Sequence, residues 1–244
     1  MSANHVFTCI ERVIPAEHEE EARTLATEEN FANGLEAFGD PKKFWKPGRT
    51  LKVRFLDGVP EVQEKVRHYA LQWTDYANIK FEFGEEEWSQ IRISFRQSGS
   101  WSAVGTDAGV LWSFPKNEPT MNFGWLTKDT GEDEVAQVVL HEFGHALGLY
   151  HEHQHPTMEI PWDKEAVYAS LMGPPNKWDK RTIDKNMFEK YSAEVTQYTE
   201  FDPKSIMLYS FPPEWTQDRR SMPPNRELSE MDKAFIRSCY PATS

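Results

Sequence analysis

Cysteine is scarce. Cys9 and Cys239 are the only two in 244 residues, which excludes a disulfide-stapled scaffold and leaves open a single bridge between the two ends. Basic clusters are missing as well. Lys and Arg number 27 against 39 Asp and Glu, a net charge of −12, and they gather no further than pairs such as Lys42-Lys43 and Arg219-Arg220. A chain that tracks phosphates or docks on an anionic membrane needs the opposite balance, so no nucleic-acid partner is expected. No apolar run approaches the roughly 20 residues of a membrane span, so no membrane insertion is expected either. The opening "MSANHVFTCIERVIPAEHEEEA" turns acidic before any apolar stretch develops. No secretory signal is visible, which suggests a cytoplasmic protein or one exported without such a signal.

What is present suffices for a core. Hydrophobic residues make up 39% of the chain, with nine tryptophans, enough for one large domain or two closely packed halves. Residues 1–43 are polar and acidic and read as a helical or loosely ordered leader. Residues 44–152 read in the order β-α-β-β-β-β-α. "TLKVRFL" (50–56) alternates as a strand does, and Val62, Val66, Tyr69, Ala70 and Trp73 recur at helical spacing behind Pro60. "IKFEF" (79–83) and "IRISF" (91–95) are strands, and "SWSAVG" (100–105), "VLWSF" (110–114) and "TMNFGW" (120–125) read as further extended pieces. A helix over 133–148 places Val135, Val138, Val139, Ala146 and Leu147 on an apolar face and stops at Gly148. Residues 153–244 change character, with prolines and short helices before a last helix that opens at Ser229, three residues ahead of Asp232, as a capping box does.

One stretch carries the chemistry. "HEFGHALGLYHEHQHP" (141–156) holds five of the eight histidines. Positions i and i+4 share a helix face, so His141 and His145 can both present a ring nitrogen to one ion. Gly148 permits a sharp turn that brings His151 round as a third ligand. Three protein ligands leave the fourth position of a tetrahedral zinc open, the arrangement of catalytic rather than structural sites. Glu142 stands next to the first ligand without being one, suited to a general base. His153 and His155 match no ligand spacing and are expected in a solvated loop.

The pattern His141-Glu142-x-x-His145-x-x-Gly148-x-x-His151 is the metzincin signature, and Glu152 directly after it resembles the astacin branch of those zinc metallopeptidases. Other segments are similar to astacins in the same order. "SGSWSAVG" (98–105) resembles the segment S-G-C-W-S-x-V-G with Ser100 in place of cysteine. "SIMLY" (205–209) resembles the Met-turn S-x-M-H-Y with Leu208 in place of histidine. "LSEMDKAFIRSCY" (228–240) resembles the C-terminal helix of the family.

The resemblance implies an α+β, zincin-like fold: a twisted mixed sheet with two long helices in the N-terminal half, an irregular C-terminal half, and one Zn²⁺ in the cleft between them. It implies a monomeric endopeptidase for protein or peptide substrates, with extracellular action as the habit of the family. Met207 would pack beneath the metal, and Tyr209 would ligate it at rest and swing to stabilise the oxyanion. Ser100, Trp101, Ser102, Ala103 and Val104 would form a rim strand that pairs with extended substrate. "FGD" (38–40) is similar to the F-x-G-D motif of astacin prosegments, which suggests Asp40 as a latency switch, and a thiolate from Cys9 is a second candidate for that role. The usual disulfides cannot form, and "HQHPTMEI" replaces the arginine and acidic run after Glu152, so pocket residues do not carry over. A non-catalytic, zinc-stabilised peptide-binding module is the competing reading, and Glu142 counts against it. A zinc hydrolase for a non-peptide substrate is a third.

Overall fold

The computed structural model describes residues 9–12, 14–29, 43–191 and 200–242; Asp40 lies outside them. Its centre is a six-stranded mixed sheet in the order β1-β5-β6-β4-β2-β3. The strands are β1 (Cys9–Arg12), β2 (Thr50–Phe55), β3 (Lys80–Phe83), β4 (Ile91–Ser94), β5 (Ser100–Ala103) and β6 (Met121–Phe123). Every neighbouring pair is parallel except β5 and β6. The alternation in β2 is expressed directly: Leu51, Val53 and Phe55 are buried, while Lys52 and Arg54 stay partly in solvent. Central β4 is buried at all four positions, as a strand covered on both faces must be. Its Arg92 is accommodated because the guanidinium donates to the carbonyls of Ser89, Phe114 and Glu118.

Two helices lie against the sheet. α2 (Pro60–Leu71) starts with proline at its first position, where the missing N–H costs nothing, and buries Val62, Val66 and Ala70. A tighter turn over 72–75 continues it and buries Trp73. α3 (Glu132–Ala146) opens with Glu132, Asp133 and Glu134 at the positive end of its dipole and buries Val135, Ala136, Val139, Leu140 and Phe143. The Trp73 indole donates to the Leu140 carbonyl at 3.0 Å, joining the end of α2 to the middle of α3.

A second apolar cluster forms beyond the histidines. There α4 (Lys164–Leu171) and α5 (Lys180–Ile183) pack Val167, Leu171, Trp178 and Ile183 with Met187, Phe211 and Trp215. The closing helix α6 (Glu230–Cys239), with its capping box between Ser229 and Asp232, returns to the first cluster through Ile236, Cys239 and Tyr240. The Tyr240 hydroxyl donates to the Leu147 carbonyl at 2.7 Å, so the chain's end is fastened at the point where α3 stops. Among the described residues, no helix is long and apolar enough to cross a membrane.

Three expectations change, and the bridge left open between the two cysteines is absent. The leader contains a strand, β1, besides a helix, α1 (Glu19–Glu29). "VLWSF" is a turn, because Ser113 and Phe114 both donate back to the Val110 carbonyl, and Trp112 is 78% exposed. Cys9 and Cys239 are both free and buried, in separate clusters. His153 and His155 are buried, not solvated.

Candidate metal centre and cleft

α3 brings its chemistry to its C-terminal end. His141 and His145 lie one turn apart, with ring centroids 4.8 Å apart. The helix stops at Leu147, and Gly148 takes φ +95°, where a side chain would be strained; a Cβ there would also stand 2.6 Å from Phe44 Cδ1. The reversal carries His151 back over the helix end, so that its Nε2 lies 3.0 Å from His145 Nε2. Glycine at 144, inside the helix, has a packing reason: a Cβ would meet Met207 Sδ at 2.4 Å. Met207 therefore lies directly beneath the histidines, and its carbonyl accepts the Glu152 N–H at 3.0 Å.

Each ring is oriented by what its outer nitrogen touches. Nδ1 of His141 bonds the Ile206 carbonyl and Nδ1 of His145 the Leu149 carbonyl, both at 2.8 Å, while Nδ1 of His151 lies 3.1 Å from Gln154 Oε1. A carbonyl only accepts, so these contacts put the proton on Nδ1 and point the Nε2 lone pair inward. Burial pushes His141 down to about 4 and holds His145 and His151 well below the ordinary histidine range, with their mutual proximity acting the same way. All three are neutral imidazoles, the form that ligates a cation. His141 Nε2 is buried and makes no hydrogen bond. Facing lone pairs and an orphaned buried acceptor fit a divalent cation, and a set of imidazole nitrogens with sulfur suits zinc.

The sulfur comes from Cys9. Its Sγ and one nitrogen of each of His141, His145 and His151 lie within 4.8 Å of one another, the one such group found among the described residues. Cys9 Sγ also stands 3.3 Å from Glu142 Oε2, placing thiol, carboxyl and imidazoles in one buried cluster. Burial pushes Glu142 up to about 8, only partly offset by the Cys9 hydrogen bond. Burial and the Glu142 carboxylate push the Cys9 thiol well up, so the polypeptide alone keeps it protonated, and a cation held by the histidines is the charge that favours its thiolate.

Tyr209 closes the site from the side. Its ring is buried, 4.3 Å from that of His151 and stacked on that of His153, also at 4.3 Å, and its hydroxyl donates to the Cys9 carbonyl. His153 is drawn into the interior by this stack and by a 2.7 Å bond from Nε2 to the Asn186 carbonyl. Ser100, Trp101, Ser102 and Ala103 form β5, with Val104 just past its end, and β1 pairs along it: Cys9 with Ser100, Ile10 with Trp101, Glu11 with Ser102, Arg12 with Ala103. A small cavity lies beside Cys9 and Glu142, lined by Val138, Leu208 and Ser210.

Gln154 had no signal in the sequence, and the tertiary roles of Asp232 and Glu152 go beyond the cap and the motif neighbour that the sequence marked. Gln154 bonds His151 and also donates to the carbonyls of Lys185 and Glu189, at 2.7 and 2.9 Å. Asp232 accepts from Ser205 Oγ and the Ile206 N–H, fixing Ile206, whose carbonyl orients His141. Glu152 accepts the Asp202 N–H at 2.8 Å, and burial lifts its carboxyl to about 8. Only the spacing of Gln154 from His151 could have marked it.

The family model described as "Astacin", a peptidase family, matches residues 37–240. Among curated relatives, zinc metalloproteinase nas-24 of Caenorhabditis elegans is 25% identical over 166 residues, 66% of this chain. The chain spans only 35% of that relative's length. Zinc metalloproteinase nas-38 of the same organism is 22% identical over 68% of this chain and 20% of its own. Among solved structures, one of myroilysin superposes with a TM-score of 0.78 at 45% identity, covering 84% of this chain and 99% of that one. The hatching enzyme HCE-1 of Oryzias latipes, at 17% identity and a TM-score of 0.51 over 82% of this chain and 96% of its own, shares the fold. The chain belongs to the astacin family of peptidases.

Proposed function

We propose that the chain is a zinc-dependent endopeptidase that cleaves internal bonds of extended protein or peptide substrates, acting as a monomer. The observation that carries the reading is the convergence of three neutral, inward-facing imidazoles with a buried carboxyl group, Glu142, beside them. His141, His145 and His151 hold one Zn²⁺. Bound there, zinc supplies Lewis acidity toward a carbonyl and toward water.

The remaining work belongs to the chain. Glu142 takes a proton from the attacking water onto Oε2 and delivers it to the leaving amine. A binding module has no use for a base in that place. The Tyr209 hydroxyl, now spent on the Cys9 carbonyl, donates to the developing oxyanion once that carbonyl has left. Main-chain groups of Ser100, Trp101, Ser102 and Ala103 pair with extended substrate by strand addition, and Val104 continues that rim. Gly148 and Met207 keep the ligands in place.

Residues 1–43 act as a latency leader that adds β1 to the sheet, 44–152 carry the other five strands and the metal helix, and 153–244 form the lower wall. Cys9 is the latency residue that the geometry supports: its thiol stands in front of Glu142, and its strand occupies the β5 edge. The test is zinc content and peptide cleavage in the Cys9→Ala and Glu142→Gln chains. Retained zinc with cleavage raised in the first and lost in the second supports the reading; cleavage that persists in Glu142→Gln sinks it.

A further inference from the structure

His153 and Gln154 both plug into one turn of the lower half. Residues 184–188 form a widened helical turn closed by the Glu189 N–H on the Asp184 carbonyl at 3.0 Å, a distortion often found where a helix serves a site. Gln154 donates its amide to the Lys185 and Glu189 carbonyls, at 2.7 and 2.9 Å, and turns its oxygen to His151. His153 brings Nε2 to 2.7 Å from the Asn186 carbonyl. Asn186 is buried, and its own amide donates to the Thr182 carbonyl at 2.9 Å, so the seat is firm. Gln154 thus serves a metal ligand, while His153 faces Tyr209.

The His153 ring lies nearly flat on that of Tyr209, with centroids 4.3 Å apart and planes 25° apart. Trp162 meets the His153 ring edge-on at 6.3 Å. A carbonyl only accepts, so Nε2 carries the proton and Nδ1 is an acceptor. That Nδ1 is buried and has no hydrogen bond among the described residues. An unsatisfied buried nitrogen is a cost that an apolar ring would avoid, so the imidazole earns its place by its tether and its flat face. Tyr209 needs such a face. Its hydroxyl bonds the Cys9 carbonyl, and that acceptor leaves with β1. The ring is then held by packing, and the His151 ring meets it steeply, at 57°. A small tilt carries the hydroxyl off line, and a misplacement of about 1 Å can cost about 10²-fold in rate.

We propose that His153 is a positioning residue for the hydrolysis, tethered to Asn186 and holding the Tyr209 ring in the plane from which its hydroxyl reaches the developing oxyanion. This rests on the peptidase reading above and on the role given there to Tyr209.

The test is a double-variant cycle in the full-length, zinc-loaded Cys9→Ala chain. His153→Gln keeps a donor for the Asn186 carbonyl and removes the flat ring. It is expected to lower kcat about tenfold, with KM within about twofold and zinc content unchanged. In a Tyr209→Phe background the same change should cost about twofold or less, because the hydroxyl it positions is gone. An unchanged kcat, a loss confined to KM, or equal losses in both backgrounds would overturn the proposal. Should His153→Gln not fold, His153→Phe, which keeps the ring and drops the tether, is read in the same cycle by the same criteria. A readout without catalysis is fluorine NMR of these chains labelled with fluorotyrosine, the Tyr209 line being assigned by its loss in Tyr209→Phe. His153→Gln should shift and broaden that line as the ring leaves one orientation for several. An unmoved line beside Glu142-dependent cleavage rejects the positioning role and keeps the peptidase reading. A moved line in a chain that cuts no peptide defeats the peptidase reading and leaves the hold of His153 on Tyr209 standing.

Discussion

Cys9 Sγ lies 3.3 Å from Glu142 Oε2, a contact between residues 133 positions apart. The thiol on β1 and the carboxyl on α3 therefore occupy the same small space, and water cannot stand between them. Cys9→Ala in the full-length chain is expected to raise cleavage of a peptide substrate about tenfold or more. A continuous assay on the parent and the variant checks it, and equal rates would remove Cys9 from any latency role.

Tyr209→Phe keeps the ring that stacks on His153 and removes only the hydroxyl. In the Cys9→Ala background the loss is expected in kcat, by about 10²- to 10³-fold, with little change in KM. A rise in KM with kcat intact would make Tyr209 a binding residue instead.

Asp232 reaches the histidine cluster through one residue, Ile206. It accepts the Ile206 N–H at 2.8 Å, and the Ile206 carbonyl takes Nδ1–H of His141 at the same distance. Asp232→Ala should cost about 2 to 3 kcal/mol in denaturant unfolding and weaken zinc affinity about 10- to 100-fold. Unchanged zinc affinity would show that His141 is oriented without it.

Gly148→Ala puts a Cβ at φ +95° and 2.6 Å from Phe44 Cδ1. Strain and overpacking together are expected to destabilise by about 2 to 4 kcal/mol. Zinc content should fall as well, because the turn places His151. Loss of stability with full zinc content would separate the two effects.

The carboxyl of Glu152 is raised by burial from 4.5 to about 8. Between those values the folded chain binds a proton that the unfolded chain has lost, so this group's contribution is complete below pH 4.5 and declines as pH rises toward 8. Glu152→Gln should flatten that decline, by up to about 1 kcal/mol per pH unit, in unfolding curves taken from pH 5 to 8. A parallel slope in the variant would assign the pH dependence elsewhere.

Legibility in the sequence followed distance along the chain. His141, His145, Gly148 and His151 were readable because ligands on one helix and its stop obey a local geometry. Glu142 was readable from its place beside the first ligand. Cys9 was only a candidate, since nothing local says that a strand near the N-terminus pairs with β5, far along the chain. The reading of His153 as solvated failed because its burial depends on Tyr209 and on the Asn186 carbonyl, both distant in sequence. "VLWSF" failed because an apolar run has no period to tell strand from turn, and the bonds back to Val110 settled it locally. Asp232 looked like a capping residue and is one, but its hold on Ser205 and Ile206 is tertiary. Asp40 lies outside the described residues, and its role stays with the sequence.

The central claim is that His141, His145 and His151 hold a zinc beside a working base. The most direct measurement takes the Cys9→Ala chain with and without Glu142→Gln, and on one preparation of each determines zinc content and casein cleavage before and after a chelator. The account expects one zinc per chain in both, chelator-sensitive cleavage in the first and none in the second. Cleavage that survives the chelator or the loss of Glu142, or a folded chain that takes up no zinc, would contradict it.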